Sequence, residues 1–247
     1  MNLELRGVSA GYNGKAVLTG VNFSVGEGEL LVLAGPNGSG KSTLLKTAGG
    51  LLPPLEGSAV IDGREIGRMK PRERAALTAF LFQSGESPWP FTVRETITHG
   101  CFARRGWLGV ETKADRDAVD SALFKADLTA LADRQVTSLS GGELQRVNIA
   151  RCIAQGAAFF LFDEPENNLD PKYAYTIMTL LTALVREGKG AIVSLHDLRL
   201  ASRFAQRVAL LSLDGAILLG TPGEVLTAEK IGKVYDMGEE LVRELIL

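Results

Sequence analysis

The chain has 247 residues, of which 45% are hydrophobic and 23% are charged, and its formal net charge at pH 7 is −2. A globular chain of this composition and length can bury a sizeable core as one α/β domain, with or without a subdomain. The small negative charge provides no strong positive field for a polyanion, so we predict no nucleic-acid partner.

The sequence also lacks the signals of a secreted or membrane-spanning chain. The first ten residues, MNLELRGVSA, carry charges where a signal peptide needs an apolar run. No stretch approaches the roughly 20 apolar residues that cross a bilayer. Cys101 and Cys152 stand near no second Cys or His at a metal-ligand spacing, so we expect two free thiols in a reducing compartment. If the protein works at a membrane, another chain must provide the span.

The predicted elements begin with strands. Leu3, Leu5 and Val8 lie in an opening strand that ends at Gly11, and residues 17–25 alternate apolar with polar side chains. Residues 29–34, ELLVLA, suit a strand that is buried on both faces of a parallel sheet. A helix is predicted to begin near Lys41. Further strands are predicted at residues 58–61 and 78–82, with a helix that starts at the proline of PRERAAL between them.

The pattern changes after residue 82. Prolines and helical stretches such as residues 114–126 fill the chain as far as about residue 155. Strands at residues 158–162, 191–195 and 207–213 then alternate with helices at residues 171–187 and 198–204. Strands that alternate with helices predict an α/β fold with a mainly parallel core sheet. We expect an N-terminal antiparallel β part before this sheet and a helical insert within it.

A phosphate-binding pattern follows the first buried strand. Residues 35–42, GPNGSGKS, match G-x-x-x-x-G-K-[ST] between a predicted strand and a predicted helix. Glycines let backbone N–H groups turn toward phosphate oxygens, and the helix adds the positive end of its dipole. Lys41 can reach the β- and γ-phosphates, and the Ser42 hydroxyl can bind Mg²⁺. A chance glycine-rich turn is the alternative, and the flanking elements argue against it.

Two carboxylates end the apolar run FFLF at residues 159–162. Successive residues of a strand point to opposite sides, so Asp163 and Glu164 need not share one task. Asp163 is the candidate for holding Mg²⁺, through water, and Glu164 is the candidate general base for an attacking water. The alternative is an acidic strand end at the surface, which is less attractive after a complete phosphate-binding loop.

A second candidate anion site lies at residues 139–143, LSGGE, before a helix predicted over residues 143–154. Ser140, Gly141 and Gly142 could form a phosphate-sized nest at the start of that helix, although an ordinary helix cap has the same residues. LSGGE after a phosphate-binding loop and before an apolar strand ending in Asp-Glu resembles the signature of the ABC ATPases. The resemblance covers almost the whole chain and implies the fold of a P-loop NTPase whose helical insert carries the signature.

The resemblance implies further roles. Tyr12 stands where an aromatic ring stacks on adenine, Gln83 where a glutamine senses Mg²⁺ and the attacking water, and His196 where a histidine contacts the γ-phosphate. His99 has no such support and is predicted to be structural. The implied catalytic residues are Glu164, His196 and Gln83, and the implied Mg²⁺ ligands are Ser42, Gln83 and Asp163. The implied ATP-binding residues are Tyr12, Gly35, Pro36, Asn37, Gly38, Ser39, Gly40, Lys41, Ser42, Thr43, Ser140, Gly141, Gly142 and Asp170.

The resemblance also implies an assembly. Two copies pair head to tail, each ATP lies between residues 35–43 of one copy and 140–142 of the other, and residues 167–170 cross the interface. The sequence departs from the family at Glu143, where glutamine is common, and at Asn167 and Asn168, where Ser-Ala is common. Neither change removes a charge or hydroxyl that the mechanism needs.

The expected partners are multi-span permease subunits and, indirectly, a periplasmic or extracellular substrate-binding protein. The chain would then lie peripherally on the cytoplasmic face of the cell membrane. TVRETITHG at residues 92–100 resembles the same region in importers of iron–siderophore, haem and cobalamin chelates. Trp89 and Phe91 could form a socket for a permease helix, or could simply pack the insert.

The expected organisation is a single ABC ATPase domain over residues 1–247. Residues 1–83 and 158–215 would form its nucleotide-binding core, residues 84–157 a helical subdomain and residues 216–247 a tail. One alternative is a soluble ABC ATPase of DNA repair, translation or Fe–S cluster assembly. Repair members carry a long coiled-coil insert that is absent here, and translation members usually carry two cassettes, whereas the length does not argue against Fe–S cluster assembly. Another alternative is a nucleotide-binding module that does not hydrolyse, against which Glu164 and His196 argue.

Overall fold

Two β-sheets form the frame of the protein in the computed structural model, which describes residues 1–82, 90–105, 110–167 and 169–245. The strands are β1 Asn2–Tyr12, β2 Lys15–Gly26, β3 Leu30–Ala34, β4 Glu56–Ile61, β5 Arg64–Glu65, β6 Thr78–Leu81, β7 Phe159–Asp163, β8 Gly190–Ser194, β9 Arg207–Leu211 and β10 Ile217–Gly220. One sheet has the order β2-β1-β4-β5 and is antiparallel. The larger sheet has the order β10-β9-β3-β8-β7-β6, and its pairs are parallel except β10 with β9.

Helices cover the larger sheet and build the insert. The α-helices are α1 Lys41–Ala48, α2 Pro71–Leu77, α3 Val93–Thr98, α4 Lys113–Lys125, α5 Gly141–Gln155, α6 Pro171–Arg186, α7 Leu198–Phe204, α8 Pro222–Val225, α9 Ala228–Tyr235 and α10 Glu239–Leu245. Short 3₁₀ segments occur at Ile66–Arg68, His99–Arg104, Thr129–Leu131 and Val136–Ser138. Within the described ranges, none of these helices has both the length and the apolar character that crossing a bilayer requires.

The central strands are buried along their whole length because helices or strands pack on both faces of the sheet. All five residues of β3, of β7 and of β8 are buried. Such strands read as continuous apolar runs rather than as alternating ones, as their sequences do. The predicted α/β fold, with a mainly parallel core sheet, an N-terminal antiparallel part and a helical insert, is therefore confirmed.

Apolar side chains form a separate cluster on each side of the larger sheet. The cluster on one side joins the sheet to α1 and to the antiparallel sheet. The cluster on the other side joins it to α5, α6, α7 and the C-terminal helices. A third cluster holds α3, α4 and α5 together. Helix α5 contributes Ile149 and Cys152 to the sheet and Val147 and Ala150 to the helical cluster. The helix that follows LSGGE is therefore packed both against the larger sheet and against α3 and α4.

Some elements differ from the expectation. Helix α5 begins at Gly141, two residues before the predicted start, because Ser140 caps it and forms a capping box with Glu143. Strand β10 and the helices after it had no prediction. Its apolar run of three residues, 217–219, is short, two of its four residues are exposed, and it lies at the sheet edge.

Candidate functional site

The phosphate-binding pattern forms a tight loop between β3 and α1. Gly35 has φ 142°, and a Cβ atom there would lie 2.2 Å from the carbonyl oxygen of Leu211, so the close approach requires glycine. Lys41 is only 4% exposed, and its ammonium donates hydrogen bonds to the carbonyl oxygens of Gly35 at 2.7 Å and Pro36 at 3.1 Å. Burial lowers the pKa of Lys41, and the nearby carboxylates of Glu164 and Asp163 oppose this shift.

The same loop contains a polar group that fits a phosphate oxygen. The hydroxyl of Ser39 is buried and has no hydrogen-bond partner within the part of the chain that the structure describes. A buried hydroxyl without a partner is costly, so such a group in a native fold calls for an explanation. Together with the Lys41 ammonium and the first N–H groups of α1, it provides donors for an anion at this point.

A serine–carboxylate cluster lies beside the loop. The hydroxyl of Ser42 donates to Asp163 Oδ1 at 2.9 Å, and the hydroxyl of Ser194 donates to the same oxygen at 2.7 Å. Ser194 also accepts the main-chain N–H of Glu164 at 2.8 Å. A hydroxyl and a carboxylate oxygen at this distance form a hard-oxygen pair, which is the ligand type that Mg²⁺ prefers. Sequence reasoning missed Ser194, which the pairing of Asp163 with Ser194 across β7 and β8 brings to the site.

The predicted catalytic residues Glu164 and His196 are in contact. His196 Nε2 lies 2.5 Å from Glu164 Oε1, and the Asn167 side-chain amide donates to Glu164 Oε2 at 3.2 Å. Glu164 has φ 49°, a backbone conformation that residues other than glycine rarely adopt. A carboxylate held between a histidine and an amide can accept the proton of a water molecule.

A further carboxyl, which sequence reasoning did not single out, lies behind this pair. Glu166 is 9% exposed, and its Oε1 accepts the main-chain N–H of His196 at 2.8 Å. Its other oxygen, Oε2, is buried and has no hydrogen-bond partner among the described residues. Burial raises the pKa of Glu166 to about 7, and the negative charges of Glu164 and Asp197 add to the rise.

The LSGGE segment lies on the surface. Ser140 Oγ donates to Glu143 Oε2 at 2.7 Å, and the Ser140 N–H donates to the same oxygen at 2.8 Å, which lowers the pKa of Glu143. Ser140 and Gly141 are exposed, whereas Gly142 packs against the ring of Tyr173. Among the described residues, no hydrogen bond joins residues 140–142 to residues 35–43 of the same chain. Residues 35–43 lead into α1, which packs in the cluster on one side of the larger sheet, and residues 140–142 lead into α5, which packs in the cluster on the other side.

Of the remaining predicted residues, the structure describes Tyr12 and Asp170. Tyr12 is 46% exposed at the end of β1, and the same hairpin packs Leu18 beside the backbone of Gly40. Asp170 caps α6, where its Oδ1 accepts the N–H of Tyr173 at 3.1 Å. Gln83, Trp89 and Asn168 lie outside the described residues, so the structure gives no placement for them.

Helix α5 is tied directly to the loop that follows β7. Gln145 is buried, and its side-chain Nε2 donates to the carbonyl oxygen of Pro165 at 2.9 Å. Gly142 of the same helix touches Tyr173, near the start of α6. The segment bearing Ser140 is therefore joined to the segment bearing Glu164 by a hydrogen bond and by a packing contact.

Comparisons with known proteins find relatives that are described as ATP-binding proteins of import systems. The hemin import ATP-binding protein HmuV of Thermobifida fusca (strain YX) is 38% identical over 241 residues, which cover 97% of this chain and 84% of that protein. The iron(3+)-hydroxamate import ATP-binding protein FhuC of Bacillus subtilis (strain 168) is 33% identical over 244 residues, with 98% and 91% covered. The dimeric structure of MJ0796, a bacterial ABC transporter cassette, has a TM-score of 0.77 and 32% identity, with 89% and 98% covered.

The match to the family extends over most of the chain. Residues 18–167 match the ABC transporter family, a range that includes the phosphate-binding loop, LSGGE, Asp163 and Glu164. The chain therefore belongs to the ABC transporter family, in which it is an ATP-binding and ATP-hydrolysing cassette.

Proposed function

We propose that this chain energises the import of a metal chelate, such as hemin or an iron–siderophore complex, by binding and hydrolysing ATP. The relatives named for hemin import and for iron(3+)-hydroxamate import support the class of cargo. The observation that carries the enzymatic part is the contact between Glu164 and His196, beside the cluster of Ser42 and Asp163.

The proposed binding roles follow from the donors in the loop. Residues 35–43 surround the phosphates of ATP, with the Lys41 ammonium on the β- and γ-phosphates and the Tyr12 ring against adenine. Ser42, Asp163 and Gln83 hold Mg²⁺, for which the hydroxyl–carboxylate pair of Ser42 and Asp163 is suited. When bound, this ion supplies positive charge to the β- and γ-phosphate oxygens.

The proposed chemistry uses Glu164 as the general base. Its carboxylate orients the attacking water and accepts its proton, while His196 holds the carboxylate and reaches the γ-phosphate. Asn167 fixes the other carboxylate oxygen, so Glu164 keeps one orientation. Asp163 is occupied by two serine hydroxyls instead, which suits a metal-binding role rather than proton transfer.

ABC cassettes of this kind form dimers and work with membrane permeases. We propose that two copies of this chain pair head to tail, so that Ser140, Gly141 and Gly142 of one copy complete the phosphate site of the other. The exposure of Ser140 and Gly141 supports this arrangement, because both remain accessible to a partner. Asp170 and its neighbours would lie at the interface.

The permease would bind near the start of the helical insert. Phe82 is 50% exposed, Phe91 38% and Phe102 53%, and the rings of Phe91 and Phe102 each lie 5.1 Å from that of His99. Clustered exposed aromatic side chains are typical of a protein interface. We propose that this surface binds a multi-span permease on the cytoplasmic side of the membrane, and that the permease receives cargo from a substrate-binding protein outside.

Substitution of the proposed base tests the enzymatic part. We expect Glu164→Gln to bind ATP with a KM or Kd close to that of the wild type and to lose about 100-fold or more in kcat, because general-base catalysis is worth about 10²–10⁴-fold. ATP should then trap the variant as a dimer, which light scattering would detect. Wild-type turnover in this variant would contradict the assignment of Glu164.

Isolation of the partner tests the transport part. The protein should co-purify with the membrane fraction, and the bound permease can be identified from that fraction. Vesicles that contain the permease and this chain should take up hemin or a ferric hydroxamate only when ATP is present on the side of the cassette. A protein found only in the soluble fraction, in association with Fe–S assembly proteins, would favour that role instead.

A further inference from the structure

Glu166 is a buried carboxyl that the proposed reaction does not use. It lies in the loop between β7 and α6, three residues after Asp163, and only 9% of it is exposed. A carboxyl group in such a place is costly to bury unless its oxygens have partners. Its Oε1 has one, the main-chain N–H of His196 at 2.8 Å. Within the described ranges its Oε2 has none.

This hydrogen bond connects the two loops that carry the proposed catalytic pair. Glu164 follows β7 and His196 follows β8, and the two strands are neighbours whose last residues, Asp163 and Ser194, are paired. Ser194 already ties the start of one loop to the start of the other, through the N–H of Glu164. Glu166 makes a second tie two residues further along each loop.

We propose that Glu166 is a positioning residue for ATP hydrolysis: by accepting the main-chain N–H of His196, it holds that loop where the imidazole meets the carboxylate of Glu164. The inference rests on the catalytic roles proposed for Glu164 and His196. The 2.5 Å contact between their side chains leaves little room for a shift of either loop. A small misplacement of groups at a reacting centre can cost a large factor in rate.

The groups that face Glu166 determine its charge. Glu164 on its own loop and Asp197 beyond β8 favour its protonated form, as burial does, whereas the N–H of His196 favours its ionised form. The ammonium of Lys41, on α1, also interacts electrostatically with Glu166. A hydrogen bond to an ionised acceptor is about twice as strong as one to a neutral acceptor. The positioning should therefore be firmest once Glu166 has lost its proton, at a pH above its pKa of about 7.

Two substitutions separate the acceptor from the bulk of the side chain. Glu166→Leu keeps a similar volume without an acceptor, whereas Glu166→Gln keeps an amide oxygen for the His196 N–H. We expect Glu166→Leu to lower kcat about tenfold, which is the effect of losing roughly 1.4 kcal/mol at the transition state. The KM for ATP should stay within about twofold, because the phosphates are held elsewhere, by residues 35–43. Glu166→Gln should restore most of kcat.

The pH profile provides a readout that a purely structural role would not change. The kcat of the wild type should rise through pH 7 more steeply than that of Glu166→Gln, because only the wild type can ionise at this position. Equal kcat for wild type and Glu166→Leu, or equal pH profiles for wild type and Glu166→Gln, would overturn the inference. The inference would also be overturned if Glu166→Leu changed KM and kcat by similar factors and Glu166→Gln did not restore kcat.

Glu164→Gln serves as the control that separates the two proposals. Loss of turnover in Glu164→Gln, together with an unchanged Glu166→Leu, contradicts the role of Glu166 alone. Normal turnover in Glu164→Gln contradicts the proposed general base and, with it, the positioning of that base. If Glu166→Leu does not fold, Glu166→Ala removes the same acceptor without apolar bulk, and the same comparison of kcat, KM and rescue applies.

Discussion

At the scale of single residues, the three carboxyl groups at the end of β7 and in the loop after it have different surroundings within four positions of the chain. Two serine hydroxyls hold Asp163, a histidine and an amide hold Glu164, and Glu166 is buried with one oxygen unpartnered in the described structure. Environment therefore assigns different chemistry to side chains of one type. Glu166 also bears on stability, because burial raises its pKa to about 7.

The raised pKa of Glu166 predicts a pH-dependent free energy of unfolding. Because the folded protein holds this proton more tightly than the unfolded chain does, the contribution to stability is present in full below about pH 4.5 and is lost as the pH rises through 7. The unfolding free energy of the wild type should fall between pH 5 and pH 8, relative to that of Glu166→Gln, by about 2–3 kcal/mol.

Urea unfolding of both proteins at several pH values would measure this difference. Groups that titrate in the same way in both proteins contribute equally to the two unfolding free energies, so the difference between them reports on position 166. A difference that stays constant from pH 5 to pH 8 would show that Glu166 has an ordinary pKa in the folded protein. If the difference falls as predicted, protonation of Glu166 raises the folding stability while it lowers turnover, which is a common conflict between stability and activity.

At the scale of elements, helix α5 is the piece that joins the helical insert to the core. Its start is set locally, because Ser140 and Glu143 form a capping box. Its position is set by packing, since one face lies on the larger sheet and another on α3 and α4. The two glycines in its first turn differ in their surroundings. A Cβ on Gly141 would meet nothing within 4 Å, whereas one on Gly142 would lie 3.1 Å from the Tyr173 ring.

This difference predicts different effects of alanine at the two glycines. Gly141→Ala should fold at least as stably as the wild type, because alanine has a higher helix propensity than glycine. Gly142→Ala should be less stable than Gly141→Ala by about 1 kcal/mol, because the Tyr173 ring must move to admit the methyl group. Thermal or urea unfolding measures the gap. In a Tyr173→Ala background the gap should close, and its persistence there would contradict the role of the ring.

The sequence predicts elements well where local composition decides the outcome. The strands β3, β7 and β8 are continuous apolar runs because the sheet is covered on both faces, and the phosphate-binding loop is one contiguous motif. Strand β10 was missed because its apolar run has only three residues, and the strand forms by pairing with β9 at the sheet edge, where two of its four residues are exposed. Ser194 and Glu166 were missed for a related reason, since each joins the site only through the alignment of β7 with β8.

At the scale of the whole molecule, the feature that favours a dimer is that the two candidate anion sites precede helices on different sides of the larger sheet. Residues 35–43 follow β3 and lead into α1, and Ser140 is exposed at the start of α5. The division into a nucleotide-binding core (residues 1–83 and 158–215), a helical subdomain (84–157) and a tail (216–247) stays a prediction. The separate apolar cluster of α3, α4 and α5 supports it.

We predict that a bulky cationic side chain at position 140 prevents dimerisation but leaves nucleotide binding intact. Ser140→Arg should abolish dimerisation in the presence of ATP, because the side chain would fill the nest that receives the partner's phosphate. Binding of ATP to the monomer should change less than about twofold, since residues 35–43 are untouched.

Light scattering and a fluorescent nucleotide would measure the two properties separately. The experiment is best done in a Glu164→Gln background, where ATP is not consumed. Thr179→Arg, on an exposed part of α6, provides a matched control for the added charge. Dimerisation of Ser140→Arg at the level of this control would contradict a nucleotide site that is shared between copies.

The hydrogen bond from Gln145 to Pro165 has a consequence for such a pair. It joins the helix whose start would face the partner copy to the loop that carries the proposed catalytic Glu164 of the same chain. If the copies pair head to tail, this joined segment of each copy contacts both nucleotides, one through Ser140 and the other through Glu164. Hydrolysis of one ATP then displaces groups at the other nucleotide, so the two hydrolysis events are coupled.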